Sequence, residues 1–180
     1  MRRLTQTDLR VLPDAKHVFR NSRRVQQRYP QPIRDNAIRI VQGCMEIQLQ
    51  PNEELRHLDI EGIDAGEITL ISATRAEASF YLTTGDKRCL TALALSPRLV
   101  EIRQRLLGRV ICLEQLILKL IDTQGFDQVL TKVLPAREYD TALKAIFGSG
   151  ERATQENVLQ ALEGYIEDLR KKTEGLLVYL

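Results

Sequence analysis

A chain of 180 residues with 43% hydrophobic and 28% charged content is long enough to bury a substantial core in one domain and has an ordinary globular make-up. Its net charge of +2 is too small to argue nucleic-acid binding from the total. No apolar run reaches the ~20 residues of a membrane span, which excludes a membrane-spanning reading.

The charge is unevenly placed. Residues 1–39 hold ten Lys and Arg (Arg2, Arg3, Arg10, Lys16, Arg20, Arg23, Arg24, Arg28, Arg34 and Arg39) against Asp8, Asp14 and Asp35, so the first fifth is basic and the rest slightly acidic. Leu9–Leu12 reads as a short strand ended by Pro13. Asp14 can cap a helix running to about Tyr29, where Pro30 and Pro32 break it. Arg20, Arg23, Arg24 and Arg28 sit near helical spacing, as a solvated face or as a stripe that contacts phosphates. Ile33 to Gly43 reads as a second helix, 45–49 as a strand, and 51–54 as the opening of a helical turn.

The stretch from Asp64 to Leu95 carries the most information. Asp64-Ala65-Gly66-Glu67 has the form of a capping box, with Asp as N-cap and Glu three residues on. Gly66 costs helix stability in the first turn, about 1 kcal/mol, and so implies tight packing or a ligand. The helix that follows is apolar around much of its girth, which predicts deep burial. Ser79–Thr83, with Phe80 and Tyr81, reads as a buried strand. Thr83-Thr84-Gly85-Asp86 then turns into a helix capped by Asp86 and running to Leu95. Asp86 at a strand end and Glu67 at a helix start are two carboxylates that can share a hard divalent cation. The same loop at a helix N-terminus can hold an anion, with Lys87 and Arg88 assisting.

Ser96 and Pro97 open the next helix and Gly108 ends it. Val110–Leu113 is a third strand, and Glu114 follows it directly. Helices are expected at roughly 114–122, 126–134, 137–147 and 154–178, the last with Leu159, Leu162, Ile166 and Leu169 opposite Arg170, Lys171 and Lys172. Strands separated by helices predict an α/β fold with a parallel sheet. Its ligand crevice would lie beyond the strand carboxyl ends, where Asp86 and Glu114 would both face. Glu114 is also an ordinary helix-start charge. Phosphate-loop and dinucleotide glycine patterns are absent, and no catalytic triad can be argued. Cys44, Cys89 and Cys112 are scattered, and His17 and His57 isolated. A zinc knuckle is thereby not expected, and reduced cytoplasmic thiols are, with Cys89 and Cys112 in the core. The basic N-terminus lacks a following apolar core, so a secretory signal is not expected.

Asp64-Ala65-Gly66-Glu67, its helix, Phe80-Tyr81-Leu82-Thr83-Thr84-Gly85-Asp86-Lys87 and the helix after it together resemble the PIN domain superfamily. The resemblance implies a three-layer α/β/α fold with a central, mostly parallel sheet over residues 1–113 and a helical C-terminal extension over 114–180. It implies a metal-dependent ribonuclease whose clustered acids bind Mg²⁺ or Mn²⁺. By position Glu67 and Asp86 would be the catalytic, metal-binding acids. Asp64 accompanies Glu67, and Glu114 fits no motif of the family but could complete the metal shell. Lys87, Arg88, Arg20 and Arg24 would meet substrate phosphate. The family begins with a strand ending in an Asp. Asp8 follows Thr-Gln-Thr rather than an apolar run, so that strand and acid are expected to be missing and activity weak. The alternatives are a PIN-like module that binds RNA or protein without cutting, and an unrelated α/β sheet with two ordinary capped helices. RNA, a protein partner and a homodimer remain open as partners.

Overall fold

The computed structural model describes residues 9–48 and 53–179. Asp8, Arg2, Arg3 and the start of the expected turn at 51–54 lie outside them. The chain begins with β1 (Arg10–Val11), stopped by Pro13, whose ring removes a ladder donor. A single helix was expected next, but two form: α1 (Ala15–Asn21) and α2 (Arg23–Arg28). Ser22 divides them with ψ 119°, and its side chain accepts a hydrogen bond from Val25 N. A serine that caps a new helix competes with the continuing one. α3 (Gln31–Gln42) starts at Pro30, with Pro32 in its first turn, and is followed by β2 (Met45–Glu46) and α4 (Glu54–His57). β1 and β2 pair in parallel, Arg10 opposite Met45 and Val11 opposite Glu46.

α5 (Ala65–Ala73) runs into a short 3-10 turn at Thr74–Ala76. It buries only Ile71 and Ser72 completely, less than its apolar girth suggested. β3 is Leu82–Thr84, shifted from the expected 79–83. Tyr81 turns outward with 61% exposure, and Phe80 lies under the Arg109 guanidinium, 4.9 Å from ring centre to carbon. α6 (Lys87–Leu95), α7 (Val100–Leu106) and β4 (Val110–Cys112) follow. β3 and β4 pair in parallel: Leu82 with Val110, Thr83 with Ile111, Thr84 with Cys112. α8 (Leu113–Gln124), α9 (Phe126–Val133), α10 (Thr141–Ile146) and α11 (Gln155–Thr173) complete the chain. Glu174 (φ 46°) and Gly175 (φ 90°) then reverse it, glycine being at home in that left-handed region. Residues 176–178 return along β4, with Val110 N donating to Leu176 O and Val178 N to Val110 O.

The three-layer fold with a central sheet is therefore corrected. The protein is 66% helical, and among the described residues its strands form two short, separate two-stranded parallel sheets. Strands of two or three residues cannot carry a core. Helix faces carry it instead: Leu90 and Leu93 of α6, Ile102 and Leu106 of α7, and Ile166 and Leu169 of α11 pack with Leu82, Val110 and Cys112. A second cluster joins Ile117 and Ile121 of α8 to Phe147, Val158 and Leu162. A short apolar run does not by itself separate strand from buried helix. Here nonlocal helix packing decided. Among the described residues no helix is long and apolar enough to cross a membrane.

Candidate functional site

The N-termini of α5 and α6 meet, and that junction gathers the acids singled out from sequence. At α5 the capping box is complete: Asp64 Oδ1 accepts from Glu67 N at 2.9 Å and Glu67 Oε2 accepts from Asp64 N at 3.1 Å. A Cβ on Gly66 would stand 3.2 Å from Leu12 Cδ1 and 3.3 Å from Asp64 Oδ1. The glycine thus lets the segment leaving β1 press on the first turn of α5. At α6, Asp86 Oδ1 accepts from Arg88 N at 2.8 Å and Cys89 N at 3.3 Å, and Arg88 Nη2 donates to Asp86 Oδ2 at 3.1 Å. Cys89 lies close enough to Glu67 across the junction to act on its protonation.

These interactions set the protonation of the group. Burial raises the Glu67 carboxyl above its ordinary range. The Asp64 amide partly offsets this, and the Asp86 and Asp64 charges push further up. Burial would raise Asp86 too, but the Arg88 side chain, the Cys89 and Arg88 amides and the Arg88 charge together outweigh it, so Asp86 is lowered. The Cys89 thiol is pushed far up by burial and by Glu67, which leaves it a neutral donor. Glu67 and Asp86 are thus brought within electrostatic reach of each other, Asp64 beside them.

Glu114 is placed differently. It lies in the first turn of α8, just past β4, so it shares the carboxyl-end rim with Asp86. Its side chain is only 2% exposed, and Lys87 Nζ stands 2.6 Å from its Oε1. That approach is off the directions of a hydrogen bond, so the contact is ionic. Lys87 also lies 4.2 Å over the Tyr165 ring. Lys87 and Glu114 therefore engage each other rather than a rim ligand. Beside them, Cys112 is pushed up to about 11, mainly by burial, with Glu114 adding to the shift. Arg88 is 85% exposed at the rim. Arg20 and Arg24 are exposed on α1 and α2, not on the rim elements.

Asp14 was counted from sequence only as a cap. It makes no side-chain cap bond. It lies two residues beyond Leu12, whose side chain abuts Gly66, so it opens α1 where β1 approaches the rim. The signal was available: an apolar run, Leu9–Leu12, followed closely by an acid.

Among the described residues no group of three or more His, Cys, Asp or Glu is arranged to hold a metal ion. An all-protein cage is therefore not what this site fits. Mg²⁺ is commonly held by one or two carboxylates, several waters and substrate phosphates. Glu67 and Asp86, with mutual repulsion expressed on Glu67, fit that sparser arrangement. A cavity of about 890 Å³ lies elsewhere, between α8 and α11. None of the rim acids lines it, and its lining mixes Lys119 and Arg170 with Asp122, Glu163 and Glu167.

No protein-family model matches the chain, and neither a curated protein nor a solved structure is significantly similar to it.

Proposed function

We propose that this protein is a hydrolase of RNA phosphodiesters that depends on Mg²⁺ or Mn²⁺, with Glu67 and Asp86 as the cation ligands and Asp64 as an accessory acid. The observation that carries the reading is the junction of α5 and α6, where a half-buried Glu67 feels the charges of Asp86 and Asp64. A divalent ion there would relieve that repulsion. Such an ion activates water and offsets charge developing on a phosphate. The chain's own contribution is positional. The capping box fixes Glu67 to Asp64, and two backbone amides fix Asp86. Arg88, exposed and bonded to Asp86 Oδ2, would reach a phosphate oxygen by giving up that bond.

The test is cleavage of a fluorescent single-stranded RNA with Mn²⁺. The reading expects cleavage that EDTA stops and that Glu67→Gln and Asp86→Asn abolish. Cleavage that survives both substitutions would end it. A second reading, an RNA- or protein-binding module that does not cut, is favoured by the lack of a three-ligand group among the described residues. It expects RNA retention without cleavage. A protein partner or second copy would suit the exposed Leu9, Ile40 and Met45. Three free thiols support a cytoplasmic location.

A further inference from the structure

A cavity of about 500 Å³ opens between α1 and α3, and its wall holds Arg20, Arg34 and Arg39 with Gln31, Gln42 and the single acid Asp35. We propose that these three arginines bind the backbone phosphates of a single-stranded RNA. The inference rests on the RNA half of the proposed function and not on cleavage.

Charge is the first support. Residues 14–42 carry seven Lys and Arg against two Asp, and α1, α2 and α3 contain no buried residue. The helices therefore do not sequester these side chains in a core. Among the described residues none of the three cavity arginines forms an ion pair, Asp35 included. Three guanidiniums facing one cavity repel each other, and a phosphate oxyanion answers that repulsion with paired N–H donors.

Preorganisation is the second. Arg34 Nε donates to Tyr29 O at 3.2 Å, which leaves both of its terminal nitrogens available. Arg39 Nη2 donates to Asn36 Oδ1 at 2.7 Å, which leaves Nη1 and Nε. Both forks are held in place before a ligand arrives. The volume suits a phosphate with its sugar.

A strand is favoured over a small phosphate ester by what surrounds the cavity. Arg23 and Arg24 continue the positive surface along α2, both exposed. Arg28, whose guanidinium carbon lies 5.4 Å over the Tyr29 ring, carries the positive surface on to the end of α2.

The experiment is fluorescence anisotropy of a short fluorescein-labelled single-stranded RNA with the full chain in EDTA, across about 50 to 200 mM salt. EDTA separates this result from any failure of cation-dependent cleavage. The Arg34→Gln, Arg39→Gln double variant should bind about tenfold more weakly. Its plot of log affinity against log salt should be shallower by about 0.7 for each phosphate that is no longer neutralised. Arg20→Gln, at a side chain that makes no hydrogen bond among the described residues, should weaken binding in the same direction. It keeps the test intact if the double variant misfolds. Unchanged affinity and slope in Arg20→Gln and in a folded double variant would overturn the proposal. Orthophosphate that binds the wild type, with no RNA binding, would assign the cavity to a small phosphate and overturn the RNA assignment.

Discussion

α1, α2 and α3 bury no residue, whereas α6 alone buries Cys89, Leu90, Leu93 and Ala94, and α11 buries five side chains. Contacts that join the N-terminal region to the body include Arg10 with Glu77, the Arg28 guanidinium donating to Tyr139 O, the Tyr29 ring beside that of Tyr139, and Leu12 against Gly66. The body holds both hydrophobic clusters. Each fully buried aliphatic or aromatic side chain there contributes about 1.5–3 kcal/mol. Stability and charge are thus carried by different parts of the molecule. The acid rim sits at their seam, where β1 leads into α1 beside α5.

The largest expected effect tests that division directly. Phe147→Ala, at a position with 0% exposure, should cost about 3–5 kcal/mol in urea denaturation. Ile38→Ala in α3, only half-buried, should cost less than about 1 kcal/mol. A loss at Ile38 as large as that at Phe147 would break the comparison.

Lys87→Met sharpens it within the body. It leaves Glu114 buried without its cation, a loss of about 3 kcal/mol. Glu114→Gln, which removes the buried charge itself, should cost clearly less. Equal losses in thermal or urea unfolding would mean that the pair acts by packing and not by charge.

The smallest effect is in the pH profile. Glu67 is raised above its ordinary 4.5, so the folded state holds this proton more tightly than the unfolded chain, and stability falls as pH rises through that window. Asp86 is lowered from its ordinary 3.8, so its contribution is present above that value and lost as pH falls through the folded value. Glu67→Gln should therefore flatten the decline above pH 4.5 and raise Tm at neutral pH by about 1–3 °C. A lower Tm in that variant would contradict the electrostatic description of the rim.

Local signals in the sequence were readable where they were self-contained. The Asp64–Glu67 capping box, the Asp86 cap and the close approach at Gly66 each involve a few adjacent residues, and each is in place. The parallel β3–β4 neighbourhood followed from helix spacing. What escaped was set by distant partners. Leu12 meets Gly66 across more than fifty residues, so the apolar run ahead of Asp14 was visible in the sequence but its neighbour in space was not. Lys87 and Glu114 find each other only because β3 and β4 are adjacent. The sheet itself was overestimated. Phe80 and Tyr81 looked like strand core, yet Tyr81 faces solvent and β3 begins only at Leu82.

The proposed function requires Glu67 and Asp86 to hold one divalent cation together. Isothermal titration of Mn²⁺ into the wild type, Glu67→Gln and Asp86→Asn measures it most directly. Asn and Gln keep the capping hydrogen bonds while removing charge, so folding is preserved in the comparison. The account predicts saturable binding of one ion by the wild type and its loss in either variant. No saturable binding, or binding unchanged in both variants, would contradict it.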